Sequence, residues 1–479
     1  MADSRSFLIG GTWVRTTDTK PVINPFSGTT IAQVCQAGKE HVEAAIQSAV
    51  RAYPVLRALP AYRKADALAA VARLLTERRE EIARLMTAEA GKPITDARRE
   101  VGRGIQTFTI ASEEAKRLGG DVLPMDLNPG MEHHLGLSRR VSIGPVLGIT
   151  PFNFPLNLVA HKVAPSLAVG NPIVLKPAPQ TPLTALLLGE IIGQAGFPPG
   201  AINVVPCDNT LAEQMVADPR FKLLSFTGSA AVGWMLKAKC GKKRVVLELG
   251  GNAAVIVEPD ADLDHVAQRC VAGGFVYAGQ SCISVQRIYV QERVYAGFVD
   301  RVVAQVRALK TGDPSDDATT VGPLIDETAA RRVVTWVEEA AAGGARLVTG
   351  GKRAGSVVEP TVLTEVGPRM KVSCREIFGP VVIITPYHSF PEAIAAVNDS
   401  EFGLQAGVFT RDVMKLFQAY HELEVGTVLA NEIPTFRADH MPYGGTKDSG
   451  LGREGLRYAI EDMTELKLLV LNLPPGPSS

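Results

Sequence analysis

The chain has 479 residues, enough at roughly 100–200 residues per domain for two or three domains with sizeable cores. Its 50 basic and 50 acidic side chains cancel to a formal charge of zero, which excludes the steering field that nucleic acid or an anionic membrane partner needs; no run of roughly 18 apolar residues is present either. Six cysteines lie far apart without metal-ligand spacing, and the N-terminus lacks a basic region followed by an apolar core, so the reading is a soluble, untargeted, cytoplasmic protein with reduced thiols and no metal site.

Residues 8–36 alternate short apolar runs with turn residues and read as a small β segment. Over 39–118, apolar residues three and four apart predict two or three helices. The period breaks over 119–140, where Asn128-Pro-Gly130 between two extended runs predicts a projecting β-hairpin. Short buried strands at 146–150, 173–176, 202–205, 223–226 and 245–247 then alternate with helical stretches, among them 183–195 and 230–239. That alternation predicts a parallel sheet covered by helices, with ligands at its carboxyl edge. A second α/β region follows, with strands at 287–290, 381–385 and 407–409 and helices at 294–309, 328–342 and 391–398. The tail, 466–473, is a strong strand that stops at Pro474-Pro-Gly-Pro477 and needs a partner.

Several residues in this frame could carry chemistry. Cys282 follows Gly279-Gln280-Ser281 just before an apolar strand, so its thiol sits in a turn and faces a cleft, or else fills a core as free cysteines commonly do. Glu248 lies inside Val245-Val-Leu-Glu-Leu-Gly-Gly251; a carboxylate buried there has a raised pKa suited to a general base, and a cap on a neighbouring helix is the other reading. Asn153, in Pro151-Phe-Asn-Phe-Pro155, offers its amide to a developing oxyanion or to a structural hydrogen bond. Lys176 ends a strand where ligands bind, or snorkels to solvent. Strand, Thr227-Gly228-Ser229 and helix follow in the order that presents backbone N–H groups to a pyrophosphate, although Ser229 also fits an ordinary helix cap. Gly450-Leu-Gly-Arg-Glu-Gly455 matches Gly-x-Gly-x-x-Gly but follows no strand, so it reads as a surface turn before a helix over 456–463.

With Val174-Leu-Lys-Pro177, Glu376-Ile-Phe-Gly-Pro380 and Pro442-Tyr-Gly-Gly445 added in order, the chain resembles the aldehyde dehydrogenase superfamily along nearly its whole length. The resemblance implies an α/β fold: a Rossmann-like dinucleotide-binding domain (1–118 and 141–250), an α/β catalytic domain (251–455), and an oligomerisation segment (119–140 and 464–479) in which hairpin and tail pair. Homodimers or homotetramers are then expected. It also implies Cys282 as nucleophile, Glu248 as general base and Asn153 as oxyanion donor. NAD or NADP would be held by Thr150, Pro151, Phe152, Lys176, Pro179, Gly228, Ser229, Leu249, Glu376 and Phe378, and Lys162 with Glu465 would relay the base's proton. The reaction implied is oxidation of an aldehyde to the carboxylic acid through a cysteine thioester. Relatives that pass the acyl group to coenzyme A tend to lack the base, so Glu248 argues against that alternative, and the three catalytic residue types together argue against an inactive binding homologue.

Two positions depart from the family pattern. The acidic residue that NAD-preferring members carry three positions after the lysine is Pro179 here, so both cofactors are expected to work. Relatives acting on phosphorylated or phosphonate aldehydes carry arginine directly before the cysteine, where this chain has Ser281. Arg437-Ala-Asp-His-Met-Pro-Tyr443 nevertheless resembles the lactaldehyde and phosphonoacetaldehyde branch, so His161, Ser281, Arg437 and His440 are expected to meet a short polar aldehyde.

Overall fold

The fold is described from a computed structural model, for residues 4–473. One large sheet runs in the order Gly450–Leu451, Arg244–Glu248, Leu223–Thr227, Val146–Ile149, Ile173–Lys176, Ile202–Val204, Phe7–Ile9, Thr12–Val14. Its five central strands are parallel and its flanks antiparallel. Strands such as Val146–Ile149 and Ile173–Lys176 are buried on both faces, which is why they read as unbroken apolar runs rather than alternating ones. The chain moves outward from Val146–Ile149 in one direction, then returns to its other side through Leu223–Thr227. The loops leaving those two strands therefore diverge, and a crevice opens between them.

The second large sheet is ordered Arg346–Thr349, Thr361–Thr364, Val381–Tyr387, Arg287–Gln291, Ala254–Val257, Gln405–Phe409, Thr427–Ala430, all parallel except the antiparallel edge at Arg346–Thr349. Separate apolar cores form against the two sheets. The three-stranded sheet that the hairpin anticipates is present: Val122–Pro124 pairs with one side of His134–Ser142, and the tail strand Thr464–Asn472 pairs with the other. That tail pairing runs from Thr464 opposite Ser142 to Asn472 opposite His134, so the tail finds its partner in its own chain. The end of the expected tail segment, 474–479, lies outside the described residues. Among the described residues no helix is long and apolar enough to cross a membrane.

Between residues 39 and 115 there are four helices, Lys39–Ala58, Ala61–Glu77, Arg79–Ala90 and Ile94–Ala115, rather than two or three. The breaks are short, and the one at Arg78 is a single residue that leaves the apolar period almost uninterrupted. Helix Asn157–Val169 has no counterpart in the sequence reading, because all 13 of its residues are buried and no polar face marks its period. It carries His161 and Lys162 through the middle of the molecule.

Helix Leu263–Phe275 aims the chain at the crevice and then stops abruptly. Tyr277 and Ala278 follow at φ 48° and 53° and Gly279 at φ 70°, three successive left-handed residues. Such a conformation costs a non-glycine residue about 1–3 kcal/mol and persists only where surrounding contacts impose it. Here Tyr277 Oη donates to Ala90 O at 2.7 Å, and Gln280 Nε2 donates to Pro323 O at 3.3 Å. A Cβ on Gly279 would run into the Gly379 carbonyl oxygen. Gly279→Ala is therefore expected to destabilise the protein by about 2 kcal/mol or more. A thermal melt at fixed scan rate checks this, and an unchanged midpoint would show that the turn has room to adjust.

Candidate active site

The crevice deepens into a cavity of about 310 Å³ reached by loops of both large sheets. Phe152 and Asn153 enter it after Val146–Ile149, Gly228 and Ser229 after Leu223–Thr227, and Glu248, Leu249 and Gly250 at the end of Arg244–Glu248. Ser281, Cys282, Glu376 and Phe378 face them, and Arg103, Arg437 and Tyr443 close the remaining wall.

Cys282 is half-buried, with Sγ 3.1 Å from Tyr443 Oη. Burial pushes its thiol up to about 12; the Tyr443 hydrogen bond and the Arg437 charge pull it down, and the Glu376 and Glu248 carboxyls push it up. Asn153, buried, donates from Nδ2 to Gln280 O at 3.0 Å. A side-chain amide has two N–H donors, so this bond orients the group beside Cys282 and leaves a second donor over. Glu248 is 2% exposed and neither of its oxygens has a hydrogen-bond partner. Burial, then the nearby Glu454 charge, holds its carboxyl well above the usual range against the pull of Arg437 and Lys162.

Glu454 has the opposite fate in the same surroundings. Lys162 Nζ donates to its Oε1 at 3.1 Å and Arg437 Nη2 to its Oε2 at 2.8 Å. Burial opposes ionisation, yet these two cations bring Glu454 down to about 2. Lys162 is completed by Thr227 Oγ1 at 2.7 Å and Ser225 Oγ at 3.2 Å. The lysine thus has its carboxylate, but not Glu465. Glu465 lies on the exposed tail strand, paired with Arg244. Glu454 comes instead from the Gly450–Gly455 stretch, where Gly450 pairs opposite Glu248 at the edge of the first sheet. That stretch is more than the expected surface turn: Gly450–Leu451 is an edge strand of the first sheet, and Glu454 is 2% exposed with its backbone bridged to Tyr443.

Two expected substrate contacts do not reach the cavity. His161 is buried behind its wall, with Nε2 2.8 Å from Asp439 Oδ1, and His440 is exposed. Burial, then repulsion from Arg437, lowers the His161 pKa against the Asp439 hydrogen bond. Asp439, the residue before His440, is the hub: it also accepts from Arg103 Nη2 at 2.7 Å and Asn157 Nδ2 at 3.0 Å. Ser281 and Arg437 do line the cavity, and Arg437 Nε is buried without a partner.

Of the residues expected to hold the dinucleotide, Pro151, Phe152, Gly228, Ser229, Leu249, Glu376 and Phe378 share the cavity. Phe152 and Phe378 meet edge to face with ring centroids 5.9 Å apart. Glu376 Oε1 accepts from Gly251 N at 3.0 Å, and burial raises its carboxyl to about 7. Glycine is required at 251, since a Cβ would lie 2.5 Å from the Cys282 carbonyl oxygen, and at 250 a Cβ would displace the Glu376 carboxylate. Lys176, buried, donates to Asn209 Oδ1 at 3.2 Å, and Thr150 is buried beside it. Pro179 is exposed in a separate depression shared with Lys20 and Asn24.

Beneath the site, Lys92 pairs with Glu100, each side chain 1% exposed. Glu100 Oε1 accepts from the backbone N–H groups of Leu156 and Asn157, both at 3.0 Å. Lys92 Nζ lies 3.7 Å from the Phe154 ring centroid and 4.6 Å from that of Tyr277. Arg103, Asp439, Tyr443 and Glu454 were missed by sequence reasoning. Three of them stood inside quoted motifs, Asp439 in Arg437-Ala-Asp-His-Met-Pro-Tyr443, Tyr443 at the end of that stretch and in Pro442-Tyr-Gly-Gly445, and Glu454 in the Gly-x-Gly-x-x-Gly match, while nothing local singles out Arg103.

Residues 13–469 match the model of the aldehyde dehydrogenase family. The chain is 43% identical over 466 residues to a 3-sulfolactaldehyde dehydrogenase of Priestia aryabhattai, covering 97% of each chain. It superposes on the crystal structure of aldehyde dehydrogenase 21 from Physcomitrella patens, in complex with its reaction product succinate, at TM-score 0.97, with 45% identity and 99% of each chain covered. It is also similar to an NADP-dependent glyceraldehyde-3-phosphate dehydrogenase of Bacillus halodurans solved with NADP, at TM-score 0.96 and 37% identity, covering 98% of this chain and 99% of that one.

Proposed function

The chain belongs to the aldehyde dehydrogenase family, and from that premise we propose that it oxidises a short polar aldehyde with an anionic far end to the carboxylic acid, using NAD or NADP. The observation that carries the reading is the convergence of a thiol, an oriented amide and an unpartnered carboxylate on one cavity.

The residues fit a dinucleotide. Ser229 makes no side-chain cap bond to the helix Ala230–Lys239 that it precedes, so the hydroxyl and the helix's first N–H groups are available to phosphate. Lys176 adds a cation, and Glu376 an acceptor for ribose hydroxyls. Bound there, the dinucleotide supplies the hydride acceptor that turns the Cys282 adduct into a thioester. The chain's own residues do the rest. Cys282 attacks the aldehyde carbon as thiolate, and the oxyanion takes the free N–H of Asn153, a preorganised donor of a kind worth about 3 kcal/mol. Glu248, with both oxygens free, takes the proton of the water that hydrolyses the thioester. Lys162 and Glu454, rather than Lys162 and Glu465, form the route by which that proton leaves.

The anionic end of the substrate is argued from Arg437, whose Nε is a buried donor without a partner, and from Arg103, which keeps 29% of its side chain open at the cavity wall. An unpaired buried donor is costly, and an anion arriving with the substrate satisfies it. The names of the similar proteins agree: 3-sulfolactaldehyde and succinate both carry an anionic group at the far end. The rest of the reading is a cytoplasmic homodimer or homotetramer, with 1–118 and 141–250 binding the dinucleotide and 251–455 completing catalysis. It is supported by six free cysteines and by Leu466, Leu468 and Leu469 exposed on the tail strand.

Glu248→Gln is expected to keep a first burst of reduced dinucleotide while steady turnover falls about a hundredfold or more, because only deacylation needs the base. Loss of the burst as well would move Glu248 to the first half-reaction. In a panel of short aldehydes of equal length, those with an anionic end should have kcat/KM at least about tenfold above neutral ones, the value of one charge-assisted hydrogen bond. The panel is run with each dinucleotide, with and without coenzyme A. Turnover with both dinucleotides and independence from coenzyme A are expected; activity confined to long apolar chains would overturn the substrate class.

A further inference from the structure

Tyr443 has no part in the reaction as set out above, yet its hydroxyl is the side-chain group hydrogen-bonded to the nucleophile, 3.1 Å from Cys282 Sγ. Tyr443 is 2% exposed. Its backbone is bridged to Glu454, Tyr443 N donating to Glu454 O at 3.0 Å and Glu454 N to Tyr443 O at 2.7 Å. The Arg437 guanidinium carbon lies 3.7 Å from the ring centroid, and Nη2 of the same group donates to Glu454 Oε2 at 2.8 Å. A guanidinium against the π face is attracted to it and draws electron density out of the phenol, which makes the hydroxyl a stronger donor. The tyrosine therefore arrives at the sulfur pre-aimed, with no side-chain entropy left to lose.

We propose that Tyr443 is a catalytic residue, its hydroxyl donating to the Cys282 thiolate and aiming Sγ at the substrate carbon, with Arg437 as the positioning residue over its ring. The titratable and charged groups that face Cys282 are Tyr443, Glu376, Arg437 and Glu248. Burial and the two carboxyls oppose the thiolate, so the phenol and the guanidinium are the two side chains that favour it. The phenol keeps its own proton, held on by burial and by the neighbouring thiol. When the thiol ionises, the S–H bond breaks, its proton passes to water in the cavity and the electron pair stays on sulfur. The hydrogen bond then becomes one from a neutral donor to an anion, about twice as strong as a neutral pair.

The proposal rests on Cys282 being the nucleophile, which Cys282→Ser tests by itself: retained turnover there would remove the nucleophile and this proposal together. The test proper is the pH dependence of Cys282 alkylation by iodoacetamide in the full-length protein, read by peptide mass. In Tyr443→Phe the midpoint is expected to rise by about one pH unit, with alkylation about tenfold slower below it and kcat/KM reduced alike. NADP binding should be unchanged. An unchanged midpoint in a variant that still binds NADP would overturn the proposal, because a purely packing role does not move the ionisation of the thiol. If Tyr443→Phe fails to bind NADP, fluorotyrosine incorporated at position 443 decides: its more acidic hydroxyl should lower the midpoint, and no shift would overturn the proposal.

Discussion

Lys92 and Glu100 meet where water reaches neither, and the site is built on their pairing. Separating them would leave an uncompensated buried charge, at about 3–5 kcal/mol. What they hold are two loops far apart in the chain. Glu100 takes the N–H groups that follow the Asn153 loop, and Lys92 lies against Phe154 of that loop and Tyr277 of the strained turn before Cys282. The oxyanion donor and the nucleophile are thus referenced to one charge pair. Backbone strain at Tyr277 and Ala278 is sustained because this pair, the Tyr277–Ala90 hydrogen bond and the Gly279–Gly379 contact leave the turn no alternative.

Above that base, two carboxylates share a dry wall and are driven apart in character. Glu454 is met by Lys162 and Arg437 and stays ionised; Glu248 has no partner and keeps its proton more tightly. The second depends on the first, since the Glu454 charge is part of what raises Glu248. Neighbouring titratable groups whose surroundings push their pKa values apart are a recurrent basis for dividing acid and base work. Arg437 joins this polar cluster to the cavity: one nitrogen holds Glu454, the ring of Tyr443 lies under the guanidinium, and Nε remains open.

Much of the fold was legible in the sequence because buried parallel strands leave an unmistakable mark, short runs of Val, Leu and Ile ended by Gly or Pro. Strand Ile173–Lys176 and helix Ala230–Lys239 fall on the residues expected. Helix Asn157–Val169 was not legible, since burial on every side erases the amphipathic period. The site divides the same way. Cys282, Glu248 and Asn153 each sit in a local setting that singles them out. Lys162 was legible as half of a pair, but its partner was placed on Glu465 when the carboxylate beside it is Glu454. Counting along the chain favours neither, because the choice depends on which stretch pairs with the edge of the first sheet.

What the sequence by itself determined is the set of strongly patterned elements and the chemistry-bearing residues whose neighbours along the chain already constrain them. Glycine at 279, where φ is 70°, and proline around Asn153 are local statements, readable because backbone sterics act over a few residues. Only the tertiary structure decided which charges meet. Asp439 collecting Arg103, Asn157 and His161, Glu454 reaching Lys162, and Tyr443 reaching Cys282 are contacts between residues from 161 to 336 positions apart. The physical reason is that a buried ion pair or hydrogen bond is selected by the loss of water around it, and burial is a property of the packed molecule.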